Sequence, residues 1–199
     1  MPHVPLRERQ KKFVDAAIRV IAAEGVAKAT TRRIAEVAEM PAASLHYCFH
    51  TKEELFQAVF EQALSEGPTK AGRDVIPGMG LRDGAAAVLR GYLDWMLLDR
   101  DLQQAQYELI FWALRNPDSR HLARQTYRSY IDATVELLSQ ARVPDEAGID
   151  LEMLARQILA TLDGHAMQWI ALDDDRMAAV IENAIVEVRA VLPPLRKEA

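Results

Sequence analysis

Residues 30–60 read TTRRIAEVAEMPAASLHYCFHTKEELFQAVF. Thr30 is a good N-cap, because its hydroxyl can accept from one of the unpaired N–H groups of a helix start. Behind it Ile34, Val37 and Ala38 recur at helical spacing and give one apolar face. The pattern breaks at Glu39-Met40-Pro41. Proline suits the first turn of a helix and not its interior, so the chain turns here and restarts. The spacing predicts a second helix over Ala42–Cys48, about two turns long and too short to be stable alone in water. Leu45 and Phe49 stand four apart and anchor it inward, while the small residues Ala42, Ala43 and Ser44 lie at its start. Helix, tight turn and short helix predict a helix-turn-helix, a motif whose second helix enters the major groove of DNA.

Working outward, the charge distribution agrees. The chain has 199 residues and a net charge of −5, which is no general nucleic-acid signature. Yet residues 1–52 hold nine Lys and Arg against five Asp and Glu, and residues 53–199 hold fifteen against twenty-four. Such asymmetry implies that one end meets a polyanion and the other does not. Arg7, Arg9, Lys11 and Lys12 crowd the start of a predicted first helix, Leu6–Glu24, whose stripe is Phe13, Val14, Ala17, Ile18 and Ile21. Gly25 follows as its C′ residue, expected in the left-handed conformation. Arg32 and Arg33 open the first motif helix and suit phosphate or base contact. Alanine methyls at 42 and 43 can meet thymine methyls, and the Ser44 hydroxyl a base or phosphate. No arginine, asparagine or glutamine stands there for bidentate readout, so specificity leans on Arg33, Tyr47 and DNA shape. His46, Cys48 and His50 do not form a metal set, since i, i+2, i+4 spacing puts the cysteine on another helical face.

The stretch resembles the DNA-binding domain of the TetR family of transcriptional regulators. The resemblance runs through Thr30, Ile34, Ala35, Ala38, Leu45, Phe49, Thr51, Lys52, Glu53 and Leu55 with its spacing kept. It implies that Lys52 touches a DNA phosphate. There are three departures: Glu39 where glycine is usual, Pro41 where a capping serine is usual, and His46 where a phosphate-contacting tyrosine is usual. Tyr47 places an aromatic hydroxyl one position later. Glu39 brings a carboxylate close to DNA and repels phosphate unless Arg32 or Arg33 neutralises it. The expected DNA-facing set is Thr30, Arg32, Arg33, Ala42, Ala43, Ser44, His46, Tyr47, His50 and Lys52.

The remainder reads as helix. Scarce Gly and Pro and the lack of alternating strand patterns predict an all-α chain. Residues 1–66 are expected to form a three-helix DNA-binding domain, and residues 67–199 a larger helical domain for effector binding and dimerisation. Residues 67–80, rich in Gly and Pro, are expected as the loop between them. Helices are then predicted from Leu81 to about Leu98, from Leu102 to Arg115, from Ser119 to Ala141, from Ile149 to Leu172 and from Asp174 to Leu192. The last two (149–172 and 174–192) are too apolar for a single buried stripe. The resemblance implies that they pair with a second copy in a four-helix bundle. Cys48 is the only cysteine, so no intrachain disulfide can form and a reducing cytoplasm is the simplest setting. No apolar run approaches the ~20 residues that span a bilayer, and no signal-peptide layout opens the chain.

Aromatic residues concentrate in the C-terminal part. Most are expected in core. The resemblance also implies a small-molecule pocket there, with Trp95, Tyr107, Phe111, Trp112, Tyr127, Asp163, His165 and Trp169 as its candidate lining. Asp163-Gly164-His165 inside an apolar helix is the most suggestive spot, because buried Asp and His need partners and mid-helix glycine weakens a helix. No cofactor is called for. The expected function is a ligand-responsive regulator, most often a repressor in this family. It would bind a palindromic double-stranded operator as a homodimer and be released by an unidentified effector. The alternatives are an all-helical enzyme or a dimeric scaffold with an accidental motif. No nucleophile elbow, zincin motif, Walker loop or dinucleotide fingerprint supports the former, and the basic N-terminus argues against the latter.

Overall fold

The computed structural model describes residues 5–173, 176, 179–180 and 182–186. Its elements are α1 (Leu6–Glu24), α2 (Thr31–Val37), α3 (Ala42–Cys48), α4 (Lys52–Ala71), α5 (Leu81–Leu98), α6 (Arg100–Arg115), α7 (Arg120–Ala141) and α8 (Leu151–Leu172), with three short 3-10 turns. Among the described residues there is no strand. The chain separates into two compact units. The first holds residues up to Leu64 together with Asp99–Thr126, and the second holds Ser65–Leu98 and residues from Tyr127 onward.

The first unit is built on α1. Phe13, Ala16, Ala17 and Ile21 are fully buried on it, and α2, α3 and α6 pack against it. Gly25 closes the helix by donating its N–H to the Ile21 carbonyl at 2.9 Å. Its φ of 83° is positive, as the sequence predicts, but ψ is 159°, an extended left-side conformation open to glycine rather than the helical one. Ile34 and Ala35 turn inward from α2, and Leu45 and Phe49 from α3. Each fully buried side chain of that size contributes roughly 2 kcal/mol. That burial, rather than propensity, holds a seven-residue helix in place. Gln104 of α6 donates to the Ala22 carbonyl at 2.8 Å and so satisfies one of the open carbonyls at the end of α1.

The second unit has α5 at its centre, buried along Leu81, Ala85, Val88, Leu89 and Tyr92, with α8 packed on it. One expectation fails here. The loop predicted at 67–80 is only 72–80, because α4 continues to Ala71 with Pro68 inside it. Proline clashes with the Cβ of the preceding residue in a helix, and that residue is Gly67, which has none. The same missing side chain lets Gly67 lie on the Trp95 ring. Gly91 is needed for the crossing itself: a Cβ there would stand 2.7 Å from Ala71 Cα and from the Lys70 carbonyl.

Glu146 fastens the unit from a distance. Its buried carboxylate accepts the Leu81 N–H at 2.9 and 3.0 Å and the Val143 N–H at 3.1 Å, so it caps α5 from 65 residues away. Of the last predicted helix, residues 179–180 and 182–186 are helical and Arg176 stands in a turn; the rest of 174–192 lies outside the described residues. Among the described residues no helix is long and apolar enough to cross a membrane.

Candidate nucleic-acid interface

Each end of the motif is fixed by a local bond. Thr30 Oγ1 accepts from the Arg33 N–H at 3.1 Å and starts α2. Thr51 Oγ1 accepts from the Glu54 N–H at 3.0 Å, and the Glu54 carboxylate returns to the His50 N–H at 2.7 Å, which starts α4. Between the two motif helices Glu39 takes φ 54°, the left-handed region. That is the physical reason glycine suits this turn: an L side chain there crowds its own backbone. The Met40 N–H reaches back to the Ala35 carbonyl at 3.0 Å and closes the turn.

With Leu45, Cys48 and Phe49 turned into the core, α3 exposes its other side. Ala42, Ala43, His46 and Tyr47 are exposed and Ser44 is half-buried; Thr30, Arg32 and His50 are exposed nearby in the sequence. Tyr47 is 66% exposed. The Arg9 guanidinium of α1 lies 5.2 Å above its ring. The sequence reads Arg9 as part of a basic run suited to phosphate contact, but nothing local links positions 9 and 47. Cys48 is buried, and burial pushes its thiol up while the Arg9 charge opposes that.

The two cations expected to neutralise Glu39 differ. Arg33 forms ion pairs with Glu24 at 2.8 Å and Glu36 at 3.2 Å, and hydrogen bonds to those carboxylates hold its guanidinium above the usual range. Its charge is compensated within the protein. Arg32 is exposed and has no carboxylate partner among the described residues. Lys52 is half-buried: its Nζ donates to the Val26 carbonyl at 3.4 Å and lies 5.0 Å from the Phe56 ring centre. Burial lowers its pKa. Its ammonium has no carboxylate within ion-pair distance among the described residues, so its charge is available to an anion once its weak carbonyl contact is exchanged.

The arrangement matches known DNA-binding proteins along its length. A sequence model described as "Bacterial regulatory proteins, tetR family" matches residues 13–59, and one described as "Tetracyclin repressor-like, C-terminal domain" matches residues 80–192. The chain belongs to the TetR family of transcriptional regulators. Its similarity to the HTH-type nicotine-responsive transcriptional repressor HdnoR of Paenarthrobacter nicotinovorans is 33% identity over 168 residues, 84% of this chain and 87% of that protein. The transcriptional regulator FadR from Bacillus subtilis, solved with stearoyl-CoA, shares the fold with a TM-score of 0.76 at 16% identity, over 92% of this chain and 99% of that one. The multidrug binding protein EbrR, solved with malachite green, gives a TM-score of 0.64 at 27% identity, over 94% and 99%. The TetR helix-turn-helix is thus the DNA-binding element of an all-α regulator.

TetR-family layout also frames the C-terminal candidates, which fall in both units. Tyr107, Phe111 and Trp112 lie on α6 in the first unit. There Trp112 packs edge-on against Phe56 at 5.1 Å, and Phe111 is 48% exposed. Trp95, Tyr127, Asp163, His165 and Trp169 lie in the second. Trp95 is buried against Gly67. Tyr127 and Asp163 are brought together: the phenol donates to the carboxylate at 3.0 Å, and burial first, then that carboxylate, pushes the phenol up. His165 is half-buried with Nδ1 lacking a hydrogen-bond partner, and Trp169 is half-buried. The sequence does not single out Tyr92 as a site residue, yet it meets Tyr130 edge-on at 6.2 Å beside this pair.

Proposed function

We propose that the protein is a cytoplasmic, effector-released repressor that binds a palindromic DNA operator as a homodimer. The observation that carries this is the outward side of α3: small residues and Tyr47 exposed on a helix whose other side is locked into α1. Thr30, Arg32, Ala42, Ala43, Ser44, His46, Tyr47, His50 and Lys52 form the DNA-facing surface, while Arg33 sets the orientation of α2 through Glu24. Residues 1–66 carry DNA binding and 67–199 carry effector binding and dimerisation.

The dimer uses the last two predicted helices, 149–172 and 174–192. In support, the solvent side of α8 carries, beside Arg156, Gln157 and Gln168, a run of apolar and small residues: Met153 is 55% exposed, Met167 42% and Leu172 65%, with exposed Ala160 and Gly164 between them. A Cβ at Gly164 would meet nothing within 4 Å, which leaves room for a second backbone to approach. Gly164→Arg is expected to convert the dimer to monomer in sedimentation while each chain stays folded.

The effector is a small molecule held in the second unit, with Tyr127 and Asp163 as its polar anchor. Relatives named for nicotine and solved with stearoyl-CoA or malachite green make those three compounds the first probes. An effector that releases DNA must bind the free form more tightly than the DNA-bound form.

The deciding experiment is selection of bound sites from a random duplex library with the purified protein. An inverted repeat with half-site centres about one helical turn apart, roughly 10 base pairs, is expected. A dimer in solution that enriches no sequence would overturn the operator reading.

A further inference from the structure

We infer that Arg9 is the positioning residue of the recognition helix: stacked on the Tyr47 ring, it aims the phenol, and the two side chains together grip one DNA phosphate. The inference rests on the DNA-binding reading above.

Three observations point to it. Tyr47 is 66% exposed on α3, so protein packing does not hold its ring. The contact that does is the Arg9 guanidinium, 5.2 Å from the ring centre, reaching from a different helix. A ring face attracts a cation, and this pair is one side-chain tether of the recognition helix to the start of α1. Beside it Gln10 Nε2 donates to the Cys48 carbonyl at 3.4 Å, so two consecutive residues of α1 engage two consecutive residues of α3.

The charge of Arg9 is also unspent. Two of its basic neighbours on α1 are paired, Lys11 with Asp15 at 2.8 Å and Lys12 with Glu8 at 3.8 Å. Arg33 is paired twice. Arg9 has no carboxylate partner among the described residues, and its Nε is buried without a hydrogen-bond acceptor. The buried Nε lies out of reach of DNA, but the guanidinium held over the ring keeps its terminal N–H groups free of any carboxylate among the described residues, and such a fork is the donor set that binds phosphate oxygens. The Tyr47 hydroxyl, held by the same stack, supplies a further donor. The two donors belong to helices α1 and α3, so a single phosphate bridging them fixes the depth of the recognition helix in the groove. Phosphate contacts of this sort set register without reading bases.

The test measures affinity of the full-length protein for its library-selected duplex, and for a random duplex of equal length, across a range of salt. Arg9→Ala is expected to weaken binding to both about tenfold and to lower the slope of log K against log salt by about 1. Tyr47→Phe keeps the stack and loses the hydroxyl, so its affinity falls with the slope unchanged. Arg9→Lys keeps the charge without the planar stack; it restores the slope but not the affinity. The double variant Arg9→Ala, Tyr47→Phe is expected to lose less than the product of the two single losses, because the pair acts as a unit. Helix content and thermal unfolding of each variant, matched to the parent, separate these effects from misfolding. Unchanged affinity and slope in Arg9→Ala, or losses that simply multiply, would overturn the inference alone. Parent protein that binds neither duplex would overturn the DNA-binding reading along with it.

Discussion

The helix-turn-helix and the second unit are held together by the same kinds of bond at very different reach. In the motif, Thr30 caps α2 through Arg33 and Thr51 caps α4 through Glu54, each three residues away. In the second unit Asp150 caps α8 just as locally, but other bonds span long stretches of chain. Glu146 caps α5 from 65 residues off, Tyr127 meets Asp163 across 36, and Arg90 meets Glu182 across 92 at 3.0 and 3.1 Å. A function built from local bonds leaves a spacing that sequence can display. A function built from distant ones leaves residues whose meaning appears only when the chain is folded.

The most severe way to break that comparison is to remove the longest-reaching cap. Glu146→Ala leaves the Leu81 and Val143 N–H groups without an acceptor in a buried place, and a loss of about 3 kcal/mol is expected in urea unfolding. Glu146→Gln, which keeps one acceptor oxygen, is expected to lose about half as much. A cost below about 1 kcal/mol for the alanine variant would mean that the distant cap is replaceable by water and that the second unit is held by apolar packing alone.

Next in size is an alkaline limit. Burial holds the Tyr92 phenol up to about 12, with a weaker opposing effect from its 3.3 Å bond to Thr134. Tyr130 and Tyr127 are pushed up as well, by burial first. A folded-state pKa raised above the unfolded value of about 10 means that the folded chain keeps protons the unfolded chain has released. Stability from these groups is therefore fully present below pH 10 and is lost as pH rises from 10 through 12. Tyr92 alone is expected to account for about 2 kcal/mol at pH 12. Denaturant unfolding followed at a series of pH values checks this, and Tyr92→Phe should flatten the decline.

These two cases show what was legible. Helix positions were readable wherever an apolar stripe ended at a cap: α1 and α3 appear at their expected bounds, and α8 starts two residues inside its expected start, with Asp150 as N-cap. The end of α4 was not readable, because Gly67-Pro68 carries a loop signature and only the Trp95 ring lying on Gly67 shows why the helix continues. An apolar stripe also says that a helix is packed without naming its neighbour, so the packing of α6 on α1 came only from the structure. In the site the exposed side of α3 followed from the inward spacing of Leu45 and Phe49. The engagement of Arg33 by Glu24, and of Tyr47 by Arg9, did not, since neither pair shares a local period.

Arg32 and Arg33 sharpen the comparison within the motif itself. They are adjacent and chemically identical, yet only Arg33 has its charge compensated by the protein. Arg32→Ala is expected to weaken DNA binding about fivefold and to lower the salt slope by about 1. Arg33→Ala should leave the slope unchanged and act through the seating of α2. Equal slopes for the two variants, both reduced, would return Arg33 to the DNA surface.

The smallest effect concerns Glu39, where the local pattern and the local backbone disagree. A left-handed φ of 54° costs an L residue roughly 1–2 kcal/mol, and glycine escapes that cost. Glycine also frees the unfolded chain, which offsets about 0.5–1 kcal/mol. Glu39→Gly is thus expected to stabilise the protein by only about 0.5 kcal/mol, read as a small rise in melting temperature. Its electrostatic effect is separable, because Glu39→Gln keeps the strain and removes the charge. If Glu39 stands near phosphate, both variants bind DNA more tightly, by about twofold at low salt and less at high salt. If only the glycine variant changes, and only in stability, the carboxylate stands away from the DNA, and the turn tolerates glutamate at the cost of strain alone.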